Sequence, residues 1–330
     1  VTRVCVVGTT SWGTTLAVLA ARAGADVTLL ARTTDEADLL NAARENKKHR
    51  PALRFPDALR VSNDAEYLAT AELIVLAVPS ASLRTNLVRL APAFNQDASV
   101  LSTIKGVEPE TGLRMSEVIA AFGIETARIL ALSGPNFAGE IAAGLPAATV
   151  VAGETSRAEA VQTLLNGSAF RVYTSSDVAG VELGGAMKNV VAIACGLSDG
   201  LGYGENAKAG LITRALAEIT RLGIAAGATP LTFLGLAGLG DLVLSCASDQ
   251  SRNRRFGLAL ALGAGFDKAM KAIDGVVEGA VTARAVPVLV RRFGVELPIC
   301  EALHAVLYEN KTPEAAVKEL MARAAKPELA

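Results

Sequence analysis

The sequence predicts an α/β protein, with a Rossmann-like doubly wound sheet domain over residues 1–180 followed by an all-α domain over residues 181–330. Three observations point there. Short β-rich runs alternate with Ala/Leu-rich stretches of helical spacing through the first half. A glycine-bearing turn separates the first such run from the first such stretch, and after about residue 180 the strand-like runs cease. At roughly 100–200 residues per domain, 330 residues leave room for two substantial cores.

Arg3–Val7 (R-V-C-V-V) reads as a strand ending at Gly8, and Trp12–Ala23 as a helix stopped by Gly24. Asp26–Leu30 is the second strand and Thr34–Arg44 a polar helix. A charged stretch from Glu45 to Arg50 follows, with Pro51 and Pro56 beyond it. Glu72–Val78, Ala98–Ile104, Arg128–Ser133 and Ala148–Ala152 continue the strands as near-continuous apolar runs. Such runs belong to a mostly parallel sheet covered on both faces. Val181–Leu197, Ala207–Ala226, Arg255–Gly263, Glu278–Phe293, Cys300–Tyr308 and Pro313–Ala324 all read as helices. The tail Lys326–Ala330 is expected to be mobile.

Composition narrows the chemistry. Hydrophobic residues make up 51% of the chain, which excludes a disordered polymer, and a net charge of −1 argues against a general polyanion binder. With only two histidines, His49 and His304, no multi-histidine metal site can form, so acid–base work falls to lysine or carboxylate. Cys5, Cys195, Cys246 and Cys300 lie far apart without zinc spacing and read as buried free thiols of a reducing compartment. Val4–Ala21 imitates an export signal, but its glycines, threonines and Trp12 suit a strand–turn–helix. Leu222–Gly240 is uncharged but interrupted by Pro230 and several glycines, which is unsuited to a spanning helix. A cytoplasmic protein is expected.

Gly8-Thr9-Thr10-Ser11-Trp12-Gly13 occupies the strand-to-helix turn where the dinucleotide fingerprint G-x-G-x-x-G belongs. Gly8 permits the tight turn, Gly13 the close packing of helix on strand, and free amides at the helix start suit a diphosphate. Thr10 stands where the second glycine belongs, which would place a β-branched side chain against the phosphates. Arg32, at the end of the second strand, favours a 2′-phosphate, while Asp35 and Glu36 nearby favour a free 2′-OH. Lys105 and Gly134 follow successive strands at the edge where open α/β sheets bind ligands. Lys188 interrupts an apolar helical run, either snorkelling to solvent or sitting in a dry cleft as an acid–base group, with Asn189 beside it. Gly235–Gly240 follows helical sequence and so is not a second nucleotide loop; it leaves Asp241 at a pocket edge. Gln250-Ser251-Arg252-Asn253-Arg254-Arg255 offers guanidinium forks, a hydroxyl and an amide just before a helix, the groups that a phosphate monoester needs. As a solvated basic turn the same string would carry no ligand.

In family order over about residues 3–310, Gly8–Gly13, Lys105-Gly106, Ser133–Ala138, Gly184–Asn189, Leu197–Gly200, Gly235–Leu242, Gln250–Gly257 and Val276–Gly279 resemble the NAD(P)-dependent glycerol-3-phosphate dehydrogenases of bacteria. The resemblance implies an enzyme that interconverts sn-glycerol 3-phosphate and dihydroxyacetone phosphate for phospholipid synthesis, with NADP(H) or NAD(H) and no metal. It implies Lys188 as general acid/base, with Lys105, Asn189 and Asp241 orienting and polarising the substrate. Gly134, Asn136, Ser251, Arg252 and Asn253 would bind that substrate. Gly8, Ser11, Trp12, Gly13, Arg32, His49, Lys105, Ala138, Arg252, Val276 and Glu278 would contact the cofactor. Asn136 departs from the small hydroxyl residue usual there. A small phosphorylated substrate and a homodimer are expected, with neither nucleic acid nor membrane as partner. Two other readings stay open: a hydroxy-acid dehydrogenase of the same architecture, and a catalytically silent nucleotide-binding regulator.

Overall fold

A computed structural model describes residues 1–325, 327 and 328 of the chain; the expectation for the tail falls largely outside the described residues. The first half runs β1 (Arg3–Val7), α1 (Ser11–Arg22), β2 (Asp26–Leu30) and α2 (Thr34–Ala43), then a hairpin of β3 (Glu45–Asn46) and β4 (Arg50–Arg54). It continues through β5 (Leu59–Ser62), α3 (Glu66–Thr70), β6 (Leu73–Leu76), α4 (Leu83–Leu90), β7 (Ser99–Ser102) and α5 (Met115–Ala120). Then come β8 (Ile129–Ser133), α6 (Ala138–Ala142), β9 (Ala147–Ala152), α7 (Thr155–Leu165) and β10 (Phe170–Ser175). From there the chain is helical: α8 (Val178–Gly200), α9 (Gly204–Ala225), α10 (Asp241–Ala247), α11 (Arg252–Ala261), α12 (Phe266–Ala272), α13 (Glu278–Phe293), α14 (Pro298–Tyr308) and α15 (Pro313–Met321).

Eight strands form one sheet in the order β10-β9-β8-β7-β6-β1-β2-β5. The six from β5 to β8 reproduce the doubly wound dinucleotide-binding order, with the switch point between β1 and β6. Alternate residues of each central strand feed different cores. Val4, Val6, Val27 and Leu29 pack on one face, while Cys5, Val7, Ile74 and Leu76 pack on the other. Burial on both faces is why these segments read as unbroken apolar runs. All four cysteines are buried and unpaired.

The sheet differs from the sequence reading at its edges. β9 pairs antiparallel with β8, so β9 and β10 run against the other six strands. β10 was not foreseen because Arg171 and Tyr173 face solvent, which gives it the alternation of an edge strand. β5 likewise exposes Arg60. The charged stretch after α2 folds into the β3–β4 hairpin, with Arg44 and Ala52 both at positive φ.

Helix α8 is the axis of the second half. Its 23 residues are buried almost throughout, and α9, α10, α11 and α13 all pack around it. It is the one described helix long and apolar enough to cross a membrane, and that character is accounted for by the helices surrounding it. The stretch Leu222–Gly240 is broken as expected: α9 ends, a 3₁₀ turn spans Pro230–Leu234, and a single π turn spans Leu236–Gly240. That π turn feeds directly into α10 and delivers Asp241 to the face of α8.

Candidate active site

The dinucleotide-type turn after β1 is built by two glycines and one threonine. Gly8 takes φ +111°, and a Cβ there would lie 2.8 Å from the Ala77 carbonyl oxygen. A Cβ on Gly13 would lie 2.1 Å from the Gly8 oxygen, so helix and turn can meet only without one. Thr10 does not face outward. Its hydroxyl donates to the Ala77 carbonyl at 2.9 Å and accepts from the Gly13 amide at 3.0 Å, which makes it the N-cap of α1. The expected clash with a phosphate is therefore absent, and with it the motive for a silent regulator. The amides of Ser11 and Trp12 head the helix with no intrahelical acceptor, the arrangement an anion completes. The Trp12 ring packs edge-on against Phe170.

At the end of β2, the Glu36 carboxylate accepts the Thr9 hydroxyl at 2.6 Å and the Arg32 amide at 3.1 Å. Both its oxygens are thereby engaged within the protein, while the Arg32 side chain is exposed. His49 lies in the β3–β4 turn, half-buried. Burial first, and then the Lys48 charge, lower its proton affinity below that of an ordinary imidazole. His304 sits on α14, where Nδ1 lies 2.9 Å from the Ala283 oxygen, and serves packing.

Across the C-terminal edge of the sheet, Asp241 joins two lysines. Its side chain is only 1% exposed. Oδ1 accepts from Lys188 Nζ at 2.8 Å, and Oδ2 accepts from Lys105 Nζ at 2.6 Å. Lys188 also donates to Ser245 Oγ at 2.7 Å, and Lys105 to the Gly134 carbonyl at 2.8 Å. An ammonium has three N–H donors, so each lysine retains one for a ligand. Lys188 does not snorkel; it is buried on α8 and held by Asp241 and Ser245 of α10. Burial pushes the Lys105 ammonium down to about 8, against the opposing pull of Asp241 and with some help from the Lys188 charge. Above that pH the cation is lost, so affinity for an anionic ligand at this edge should fall as pH rises past about 8. Measuring ligand KM from pH 7 to 9.5, with Lys105→Arg displacing the decline upward, checks this.

The remaining site residues form the frame. The Asn189 amide donates to the Lys105 carbonyl at 3.2 Å, and its oxygen accepts from Asn253 at 2.8 Å. Asn253 in turn accepts the Gly279 amide at 2.9 Å. Both side-chain amides thus bind protein at each end and lock β7, α8, α11 and α13 together. Asn136 similarly accepts from Thr149 at 2.9 Å and donates to the Ala148 carbonyl at 3.2 Å, on β9. Ser251 caps α11 by accepting the Arg254 amide at 3.3 Å. The arginine string divides. Arg254 is turned onto Asp199 and Asp249, whereas Arg252 is exposed beside Gly275. Arg255 is also exposed. Val276 precedes Glu278, whose carboxylate accepts both the amide (3.1 Å) and the hydroxyl of Ser80 beyond β6. Ala138 opens α6, across from Thr15 of α1.

Sequence reasoning missed Ser80, Ser245 and Arg50. Serines after strands and in helices carry no pattern of their own, and Arg50 lay within a run that read only as a charged stretch. Arg50 Nε donates to Ser11 Oγ at 2.5 Å. Among the described residues, no group of three or more His, Cys, Asp or Glu side chains is placed to hold a metal ion. The glycine-lined turn, the open amides of α1 and the exposed Arg32 do fit a dinucleotide.

Comparison with known proteins agrees. Two family models match: the NAD-dependent glycerol-3-phosphate dehydrogenase N-terminus over residues 3–159 and C-terminus over residues 177–318. A glycerol-3-phosphate dehydrogenase [NAD(P)+] of Streptomyces griseus is 47% identical over 329 residues, covering 99% of this chain and 98% of its own. The crystal structure of glycerol-3-phosphate dehydrogenase from Coxiella burnetii superposes with a TM-score of 0.92 at 38% identity, covering 97% of this chain and 98% of that one. A ketopantoate reductase family structure from Ralstonia eutropha, covering 96% and 99%, reaches a TM-score of 0.60 at 17% identity and shares the fold alone.

Proposed function

The chain belongs to the NAD-dependent glycerol-3-phosphate dehydrogenase family, and from that premise we propose that it interconverts sn-glycerol 3-phosphate and dihydroxyacetone phosphate with NADP(H) or NAD(H). The product serves phospholipid synthesis. The observation that carries this reading is the pair of lysines on Asp241, each with one donor free at the edge of the sheet. When bound, the nicotinamide supplies or accepts the hydride at C2 of the substrate.

Lys188 gives its proton to the C2 oxygen in the reductive direction and takes it back in the other. Asp241 and Ser245 fix its ammonium, so its remaining N–H is aimed before the substrate arrives. Lys105 adds positive charge where the C2 oxygen becomes anionic. Ser251 and Arg252, with Gly134 at the opposite wall, receive the phosphate of the substrate. Asn189, Asn253 and Asn136 complete the substrate site, and their hydrogen bonds support a positioning part in it. Gly8, Ser11, Trp12, Gly13, Arg32, His49, Ala138, Arg252, Val276 and Glu278 line the path of the dinucleotide. Residues 1–180 would form the cofactor-binding domain and 181–330 the substrate domain. The enzyme would work in the cytoplasm as a homodimer, without nucleic-acid or membrane partners.

The test is a steady-state assay of NADH and NADPH oxidation with dihydroxyacetone phosphate. Failure of folded protein with both cofactors sinks the assignment. Because the Glu36 oxygens are engaged by protein groups and the Arg32 side chain is exposed, Arg32→Ala should raise the KM for NADPH by about tenfold. The KM for NADH should stay within about twofold, and equal effects on both would remove Arg32 from 2′-phosphate recognition.

A further inference from the structure

The β3–β4 hairpin reaches over the start of α1, and among the described residues its Arg50 is the one cationic side chain there that donates to the fingerprint turn. Its Nε binds Ser11 Oγ at 2.5 Å, on the first residue of α1. A Cβ built on Gly139 would lie 3.0 Å from Arg50 Nη1, so the guanidinium also crosses to the first turn of α6. Arg50 is half-buried, yet among the described residues no carboxylate lies within salt-bridge distance of it. Burial first, and then the charge of Arg252, disfavour its cationic form. A half-buried guanidinium tied to the start of a helix with open amides, with no carboxylate paired to it, makes a site that is electrostatically complete only when an anion enters.

We propose that Arg50 is a further ligand of the dinucleotide, contacting its diphosphate from the hairpin side while the Ser11 and Trp12 amides contact it from the helix side. The inference rests on the dehydrogenase reading above. Diphosphate is favoured over the substrate phosphate because Arg50 is tied to Ser11 of the fingerprint turn, whereas Ser251 and Arg252 serve the other wall. A guanidinium fork suits two adjacent phosphoryl oxygens, and its hydrogen bond to Ser11 fixes the fork in advance.

The test uses the full chain with Arg50→Gln, Arg50→Lys and Arg50→Leu. Arg50→Gln keeps a donor toward Ser11 without the charge, and so separates electrostatics from the hold on the hairpin. Dissociation constants for NADH and NADPH are read from nicotinamide fluorescence at 50 and 300 mM NaCl, and the KM for dihydroxyacetone phosphate at saturating cofactor. Arg50→Gln and Arg50→Leu should weaken both dinucleotides by about tenfold at low salt and flatten the salt dependence, with Arg50→Lys intermediate. The KM for dihydroxyacetone phosphate should move by less than about twofold. Unchanged dinucleotide affinity in a variant with the parental melting temperature overturns the proposal. A change confined to the KM for dihydroxyacetone phosphate also overturns it, by assigning Arg50 to the substrate phosphate. If the unaltered chain binds neither dinucleotide, the dehydrogenase reading itself fails.

Discussion

Lys188→Ala is expected to lower kcat by about 10²–10⁴-fold with both cofactors, the range removed with a positioned general acid. KM for dihydroxyacetone phosphate should rise much less, because Lys105 and Arg252 remain to hold anionic groups. The fold should survive. Asp241 keeps its 2.6 Å bond to Lys105, so the deletion leaves no unpaired buried carboxylate. The vacated space can be relieved locally, since Ser245 loses a partner but keeps Asp241 within 3.5 Å. A rate profile that retains more than a tenth of kcat would place the proton donor elsewhere. Lys188→Arg is a sharper control: it keeps the charge, but a guanidinium cannot release a proton near neutral pH.

Asp241→Ala should have the larger structural consequence. It removes the shared counter-ion of two cations, leaving Lys105 and Lys188 facing each other in a site where both are shielded from water. Breaking a buried pair from one side costs about 3–5 kcal/mol, because the partner stays desolvated without compensation. The Lys105 ammonium, already pushed down to about 8 by burial, loses the carboxylate that supports it and should release its proton at lower pH still. Urea denaturation at pH 7 measures the loss of stability. The sign can be checked against pH: repulsion between the two lysines is greatest when both are protonated, so the deficit should shrink as pH rises through the range where Lys105 discharges. A deficit independent of pH would mean that lost packing, not charge, dominates. Asp241→Asn, which retains size and one acceptor, should fall between the parent and Asp241→Ala in stability while losing most activity.

Much of this site was visible in the sequence, for reasons that differ from residue to residue. Lys188 announces itself because a lysine within an apolar helical run is costly unless something pairs it. Asp241 follows a glycine string that needs an explanation, and the close approach of the π turn to α8 supplies one. The strands buried on both faces were legible as apolar runs, whereas β5 and β10 were not, since edge strands alternate and resemble loops. Side-chain direction was beyond reach. Thr10 sits at a helix start, where a hydroxyl caps well, but the fingerprint spacing suggested that it points at phosphate. Arg252 and Arg254 look equivalent in the string, yet two aspartates capture one and leave the other free. Arg50 could not be singled out because its meaning depends on Ser11, 39 residues earlier in the chain.

The ion pair between Lys105 and Asp241 spans 136 residues of chain, and that between Lys188 and Asp241 spans 53. The Lys105 contact carries the larger cost of loop closure, and both contacts wait on the placement of α10. The sheet can pair β1, β2 and β6 before α10 is in position, so a partly folded chain can present its strand-to-helix turn while the two lysines still lack Asp241. In a refolding experiment, recovery of catalytic turnover should therefore trail recovery of β structure. Catalysis then reports contacts that exist only once both halves of the chain are in place, whereas β structure reports the first half alone.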